Sequence, residues 1–380
     1  PQAVHFLRRG LSAAFRVADS QVWLRFPQTD LLRHIGSADH ARGNNTRLEL
    51  EIPIAADRLE ARAYRTQVAI RGQEEGEVVQ RAVPLIASGS QPIGVITISE
   101  NLSNLPMEDL RERDLQMTGF LNQATRALNA VKLRRQELTL AGRVQASLLP
   151  EGPPEMPGWQ IAATWKPARE TSGDFYDFVP LPNNRTGIVM ADVVDKGMGA
   201  ALLMALTRTL IRTYAAEFPN HPEHLLQVTN QRLLADIDAG MFVTIFYGVL
   251  DTETGLLTYS NAGHPPPYLF SPDGKPGTIS LPDSSMPLGV SGEASWQQGL
   301  QEIPPGAMLL LYTDGVIDAQ NPFGEFLGEQ GMLNIIQTRI GKSAVSIQET
   351  LLATLADFSG AEPQVDDITL MTLIREMGSD

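Results

Sequence analysis

Residues 107–158 constrain this chain more than any other stretch. From Leu110 an apolar residue returns at every seventh position, at Met117, Ala124, Val131 and Leu138, with Leu121 and Leu128 on the intervening seam. That repeat predicts one long helix over 107–148. The helix has a hard stop, because Leu149-Pro-Glu-Gly-Pro-Pro-Glu-Met-Pro-Gly carries four prolines that a helix cannot hold. A domain boundary is expected there. Asp114 and Arg135 interrupt the second seam, so two arrangements stay open: a coiled-coil homodimer, or a helix lying along one domain.

On either side of this helix the chain is long enough for a core of its own. It has 380 residues, 43% of them hydrophobic and 19% charged, the balance of a globular protein. No apolar run approaches the ~20 residues that cross a bilayer, and PQAVHFLRRG lacks a signal-like apolar block. The expectation is a cytoplasmic protein with no membrane span. The chain opens at Pro1 rather than Met, which points to further sequence upstream. Cysteine is absent, which removes disulfides, zinc-thiolate sites and thiol catalysis together. A formal charge of −14 speaks against nucleic acid as a partner.

Before the helix, Val22, Leu24 and Phe26 alternate with Trp23 and Arg25, and Leu48, Leu50, Ile52 and Ile54 alternate with acids and Pro53, as half-buried strands do. Arg81–Ala87 and Pro92–Ser99 flank Ser88-Gly-Ser-Gln, a hairpin signature. A sheet with flanking helices is expected over 1–106. After the prolines come apolar strands at 187–191 and 242–250, the second leading through Asp251-Thr-Glu-Thr-Gly into Leu256–Ser260. Between them lie helical patterns over Met198 to about Glu217 and Pro222 to Ile237. Near the end, Ser346 and Glu349 are placed for a capping box before Leu351, Leu352 and Leu355. Strands bracketed by helix pairs imply an α+β layered sandwich.

Acids stand at the rims of these strands. Asp174 opens GDFYDF, Asp192 follows Ile188-Val-Met-Ala, Asp314 follows Leu309-Leu-Leu-Tyr-Thr, and Asp366 and Asp367 precede Ile368-Thr-Leu-Met-Thr-Leu-Ile. Carboxylates converging on one hydrophobic edge repel one another unless a cation lies among them. None of the six His stands at metal-ligand spacing to another on this reading, so oxygen ligands and hard ions, Mg²⁺ or Mn²⁺, are indicated. Two such ions about 3.5–4 Å apart suit in-line attack on phosphorus, which makes phosphate-ester hydrolysis the implied reaction. Each acid has a plainer reading: Asp314-Gly315 as a turn, Asp177 as a solvated or N–H-bonding acid, and Asp195 as the start of a turn before Lys196-Gly-Met-Gly.

The ordered segments ADVVDKGMGAAL, FVTIFYGVLD, NAGHPPPYL, LLLYTDGVIDAQN and DDITLMTLI resemble the metal-dependent protein phosphatases of the PPM (type 2C) class, in the bacterial branch typified by SpoIIE and the stress-response regulators of sigma factors. The resemblance runs from about Arg143 to Ile374. It implies an α-β-β-α sandwich in which Asp192 bridges two ions with the Val193 carbonyl alongside. Asp174 would bind one ion, directly or through water, and Asp314 and Asp366 would complete the other. Asp192 and Asp314 would act in catalysis through the water those ions activate. Asp177 and Asp367 would stand behind the ligands. Ala191 and Asp195 depart from the family pattern, each where Gly is common. His264 is typical of the branch, as a structural residue of the Pro-rich turn or as a general acid. Lys196 and Arg169 are either solvated cations or phosphate contacts.

The expected domains are therefore 1–106, resembling a GAF sensor whose first helix would lie upstream of Pro1 and whose small ligand cannot be read; 107–149, a helical linker; and 150–376, the phosphatase domain. The resemblance implies a protein serine/threonine phosphatase acting on a phosphorylated STAS-type protein. Adjacency in sequence to the loop carrying Asp192 adds the expectation that control passes through the helices beginning at Met198. Two rivals are an inactive phosphatase-like scaffold that binds a partner, and a two-metal phosphodiesterase. The first is disfavoured by the presence of all the expected acids, the second by the ordered motifs.

Overall fold

The structure, a computed structural model, describes all residues except 1–6, 8, 13–14, 16, 18, 26–28, 36–50, 76–77, 87–91, 102–106, 239, 282–285, 361 and 378–380. The chain divides into two compact units, 1–136 and 137–380.

Among the described residues, the first unit is built on β1 (Asp19–Arg25), β2 (Leu31–Ile35), β3 (Glu51–Pro53), α1 (Leu59–Thr66), β4 (Ile70–Glu75), β5 (Val78–Leu85) and β6 (Gly94–Asn101). The strands pair antiparallel in the order β3-β2-β1-β6-β5-β4. Period-two alternation sends Trp23 and Val95 to the face covered by α1, and Val22, Ile96 and Ile98 to the other. That second face is closed by Met117 and Leu121 of the long helix α2 (Met107–Leu148). The expected hairpin is present, with Leu85 opposite Gly94, although its turn lies outside the described residues, as do Phe26, Leu48 and Leu50. The heptad seam is used within the unit as far as Leu128, whereas Val131 is 59% exposed. Over Met117–Leu128 the second arrangement left open above holds, a helix lying along one domain.

In the second unit the described strands form two antiparallel sheets of five. One has the order β14-β11-β10-β9-β8, from β8 (Phe175–Leu181), β9 (Arg185–Val193), β10 (Val243–Asp251), β11 (Leu256–Ala262) and β14 (Gly299–Glu302). The other has the order β13-β12-β15-β16-β7, from β7 (Trp159–Lys166), β12 (Tyr268–Phe270), β13 (Pro276–Thr278), β15 (Met308–Tyr312) and β16 (Ile368–Arg375). Phe178, Ile188, Met190 and Phe246 from the first meet Leu309, Leu311, Met371 and Leu373 from the second in a buried layer between the sheets. The outer face of the first carries α3 (Met198–Ala215) and α4 (Pro222–Asp236), packed through Leu203, Met204, Leu225 and Leu226. The outer face of the second carries α5 (Gly328–Gln337) and α6 (Ala344–Ser359), packed through Met332, Ile336 and Leu351. The result is an α-β-β-α sandwich.

One cap differs from expectation. Helix α6 starts a turn early, with Ser343 accepting from Ser346 N at 3.3 Å, so Ser346 lies inside the helix. Ala344 and Val345 extend the helix backwards and Ala344 is buried, which moves the cap to the serine before them.

Candidate metal centre

Register brings the acids to one end of both sheets. Ala191 of β9 faces Phe175 of β8, so Asp174 stands beside Asp192. Thr244 of β10 faces Asp192 from the other side. In the second sheet Tyr312 pairs with Leu370, and Thr313 N donates to Thr369 O at 3.0 Å, which sets Asp314 next to Asp366 and Asp367. The sheets are tied at this corner by two hydroxyls: Thr313 Oγ1 and Thr369 Oγ1 donate to Asp174 Oδ2 at 2.6 and 2.7 Å.

Glycines permit the approach. A Cβ on Gly173 would lie 2.7 Å from Val193 O and 3.5 Å from Asp192 Oδ1. A Cβ on Gly315 would lie 1.9 Å from Asp367 O. Gly315 thus serves as the place where two acidic loops touch, not merely as a flexible turn residue. Asp195 has φ 72° and Gly197 φ 96°, so the loop after Asp192 turns through the left-handed region, with Asp195 Oδ1 accepting from Lys196 N at 2.8 Å. Short polar side chains tolerate that conformation, which is how Asp stands at Asp195 where Gly is common in the family it resembles.

The carboxyls strain one another electrostatically. Burial pushes Asp174 well above its ordinary range, and the neighbouring Asp192 adds to this, while hydrogen bonds from Thr313 and Thr369 oppose it. Burial lifts Asp192 to about 7, with Asp314 the next contributor, and Asp174 is close enough to share a proton with it. Asp314 is raised by burial and then by Asp366, with Lys196 opposing. Acids this perturbed at one site call for cationic company. The donor set is oxygen throughout, and the Gly173 notch leaves Val193 O uncovered by any side chain there, so the residues fit hard divalent ions. These acids do not form a group of three oxygens mutually within 4.8 Å. That spacing suits ions that keep waters between themselves and the protein.

The remaining expected residues fall in different places. Asp367 accepts from Ala168 N at 2.7 Å and Gly173 N at 3.0 Å, so it fixes the loop leading to Asp174. Asp177 faces α3, where Arg212 donates twice, at 2.6 and 2.8 Å, and Arg208 Nε lies 3.0 Å away. It is a helix anchor. Lys196 Nζ sits 2.9 Å from Asp366 Oδ1 and donates to Val365 O at 2.9 Å, so its charge is spent on an acid of the centre. His264 is buried, its Nδ1 3.1 Å from Thr244 Oγ1, and Asn261 holds its backbone from both sides. Burial lowers it to about 3, with the Tyr312 carbonyl pulling the other way, so the imidazole is neutral near pH 7. Arg169 is exposed on the β7–β8 loop.

Sequence reasoning missed Thr313, next to Asp314, and Thr369, two residues beyond Asp367, both uncharged, and Gln145 near the end of α2. Gln145 accepts from Ser172 N at 3.0 Å and donates to Ser172 O at 2.5 Å, two residues before Asp174. It also excluded paired histidines too soon. His221 and His224, with Glu223 between them, place one ligand atom each within 4.8 Å of the others, the group of this kind among the described residues.

A four-layer sandwich with carboxylates gathered where its two sheets meet defines the class of metal-dependent, PP2C-like protein serine/threonine phosphatases, and the second unit is a domain of that class. The chain belongs to the SpoIIE family, whose model, described as Stage II sporulation protein E, matches residues 182–376. It is 30% identical over 244 residues to "Phosphoserine phosphatase RsbU" of Bacillus subtilis, covering 64% of this chain and 71% of that protein. It is 31% identical over 269 residues to "Protein IcfG" of Synechocystis sp., again covering 64% of this chain but only 42% of the relative's length. The fold is shared with the SiaA PP2C domain of Pseudomonas aeruginosa, with a TM-score of 0.58 at 21% identity over 65% of this chain and 99% of that one. It is also shared with a structure of the RsbU and RsbW domains of a Mycobacterium tuberculosis protein, with a TM-score of 0.52 at 26% identity over 60% of this chain and 62% of that one. No helix among the described residues is long and apolar enough to cross a membrane.

Proposed function

We propose that this chain hydrolyses phosphoserine or phosphothreonine on a STAS-type protein in the cytoplasm, using two Mn²⁺ or Mg²⁺ ions, under control of residues 1–106 as a GAF-like sensor with its own small ligand. The linker would be 107–149 and the phosphatase domain 150–376. The observation that carries the reaction class is the gathering of Asp174, Asp192 and Asp314 at one corner of the two sheets, where burial first, and then a neighbouring carboxylate, raises each of them. The substrate reading rests on the likeness to a named phosphoserine phosphatase. The sensor reading is supported by the six-stranded sheet held between α1 and α2.

Asp192, Val193 O and Asp174 would hold one ion, and Asp192, Asp314 and Asp366 the other. Ions bound there would neutralise the acids, polarise phosphoryl oxygens and lower the pKa of water. The chain's own groups set the stage. Thr313 and Thr369 fix the rotamer of Asp174 by bonding one of its oxygens. Asp367 holds the 168–173 loop by two backbone N–H groups. Lys196 must share Asp366 with any arriving cation. His264, neutral near pH 7, is no proton donor to a leaving serine oxygen and instead braces Thr244 beside Asp192. Arg169 is our candidate for the phosphate contact, being exposed on the loop that runs into Gly173.

Control would reach the centre through the end of α2. Gly142 passes so close to Glu170 that a Cβ would lie 1.8 Å from its carbonyl oxygen, and Gln145 grips Ser172. A homodimer through the linker would use the exposed Val131, Leu133 and Leu140. The test is hydrolysis of a phosphorylated STAS protein from the same organism, with and without Mn²⁺, beside a cyclic nucleotide. Release of phosphate from the protein alone, abolished in Asp192→Asn and Asp314→Asn, is expected. Full turnover in either variant, or preference for the nucleotide, would overturn the reading.

A further inference from the structure

The segment Asn220-His-Pro-Glu-His224 lies at the turn from α3 into α4, away from the acidic corner. Pro222 opens the helix and His221 precedes it, so Glu223 and His224 occupy the first turn and reach back towards His221. His221 Nδ1 lies 3.2 Å from Glu223 Oε1, and His224 Nδ1 lies 3.3 Å from the same oxygen. The two imidazole rings are 5.2 Å apart.

We propose that His221, Glu223 and His224 form a second metal site, for one borderline divalent ion of the Zn²⁺ class. Around a tetrahedral ion with bonds of ~2.0–2.1 Å, two ligand atoms stand about 3.3 Å apart. The two imidazole–carboxylate spacings already have that length. The third, between the imidazoles, is within 4.8 Å and closes by ring rotation, for His221 is 56% and His224 62% exposed. The carboxylate is the less mobile partner at 18% exposure. With its amide oriented to satisfy both ends, Gln298 donates to Glu223 Oε2 at 2.9 Å and to Asn220 O at 3.2 Å. Such outer bonds aim a ligand and sustain its affinity. A fourth position would stay open to water.

This site and the acidic centre select different ions. Two imidazoles and one carboxylate suit Zn²⁺, with Ni²⁺ and Cu²⁺ as competitors, whereas oxygen alone suits Mg²⁺ and Mn²⁺. They also lie at opposite ends of β9. Arg185, which opens that strand, hydrogen-bonds Asn220, while Asp192 lies seven residues further, about 23 Å along an extended strand. An ion at His221 would clip the α3–α4 turn to the first turn of α4, closing the far end of the helix pair.

The test uses the full chain, stripped by chelator and then held in saturating Mn²⁺ so that the acidic centre is filled. Zn²⁺ is titrated by calorimetry, and Co²⁺ by its visible absorption, which is strong in tetrahedral and weak in octahedral fields. One Zn²⁺ is expected in the unaltered chain and in Asp192→Asn, with affinity in Glu223→Gln, which alters a ligand itself, lower by at least the roughly 10–100-fold that loss of an outer partner costs. The double variant His221→Ala, His224→Ala should lose the site while keeping its Tm without Zn²⁺ and its Mn²⁺-dependent hydrolysis. Equal Zn²⁺ uptake by the double variant and the unaltered chain would mean the ion sits elsewhere. No uptake in the presence of Mn²⁺ would leave His221, Glu223 and His224 as an ion pair only. Either result overturns the proposal, and neither touches the phosphatase reading, which is tested separately by loss of hydrolysis in Asp192→Asn.

Discussion

Gln145 holds Ser172 by both ends of its amide, at 3.0 and 2.5 Å, and both residues are buried. Ser172 Oγ in turn accepts from Asp174 N at 3.0 Å. The last turn of α2 is therefore two hydrogen bonds away from an acid of the proposed centre. Gln145→Ala strands a buried donor and a buried acceptor, worth about 1–3 kcal/mol each. The expected result is a lower Tm and a several-fold higher Mn²⁺ requirement for half-maximal hydrolysis. An unchanged Mn²⁺ requirement would show that the helix end does not set the position of Asp174.

Gly173 gives a sharper steric test. Ala there puts its methyl 2.7 Å from Val193 O, against backbone that cannot give way cheaply. Gly173→Ala should weaken Mn²⁺ binding at least tenfold, measured by calorimetry. Gly152→Ala, with nothing within 4 Å of the new methyl, should leave binding unchanged.

The rim acids and the sandwich were legible because buried strands announce themselves as apolar runs and a carboxylate at their end is conspicuous. What partners those acids was not. Thr313 and Thr369 carry no charge, so their value appears only when β15 and β16 are paired and Asp174 arrives from the other sheet. Asp177 sits three residues from Asp174, and its role depends on Arg208 and Arg212, more than thirty residues on, which helical spacing alone does not aim at β8. His221 and His224 were passed over although a helix start at Pro222 was legible, because His221 lies outside that helix and reaches His224 only across its cap, and the cap of α6 was set by burial of Ala344. Gly315 looked like a turn for the same reason: the loop it touches is remote in sequence.

Titration should expose the acids directly. Burial, and next the charge of Asp314, lift Asp192 from 3.8 to about 7, so the fold prefers its protonated form. That contribution to stability is whole below pH 3.8 and is lost as pH rises through about 7. The chelated protein should therefore lose Tm between about pH 4 and pH 7. Mn²⁺ should remove or reverse that slope, and its affinity should climb over the same interval because binding releases protons. A chelated protein that melts at one temperature across this range would sink the assignment.

The threonines bear on the same titration. Their hydrogen bonds to Asp174 Oδ2 favour its ionised form, so Thr313→Val should raise that carboxyl further. The pH at which Mn²⁺ binds half-maximally should move upward, with Thr369→Val acting in the same direction. Thr313→Ser keeps the hydroxyl and should restore the profile. A simple packing defect would lower Tm without moving the pH midpoint.

Asp177 tests whether α3 is anchored independently of the ions. Its side chain is 1% exposed and is met by Arg212 at 2.6 Å and Arg208 at 3.0 Å, side chains that are 40% and 13% exposed. Removing one member of a wholly buried pair costs about 3–5 kcal/mol. Here Arg212 can turn to water, but Arg208 is left beside a cavity with its charge unmatched, so Asp177→Ala should cost about half that. Arg212→Ala should cost less, because Arg208 remains to neutralise the acid. Since α3 starts directly after the Asp192–Gly197 loop, loosening its grip on β8 should also raise the Mn²⁺ requirement. Thermal melts of Asp177→Ala, Arg212→Ala and the double variant close a cycle, and the two changes should be strongly non-additive. Additive losses would mean that the helix is held by its apolar face alone, through Leu203, Met204 and Ile211.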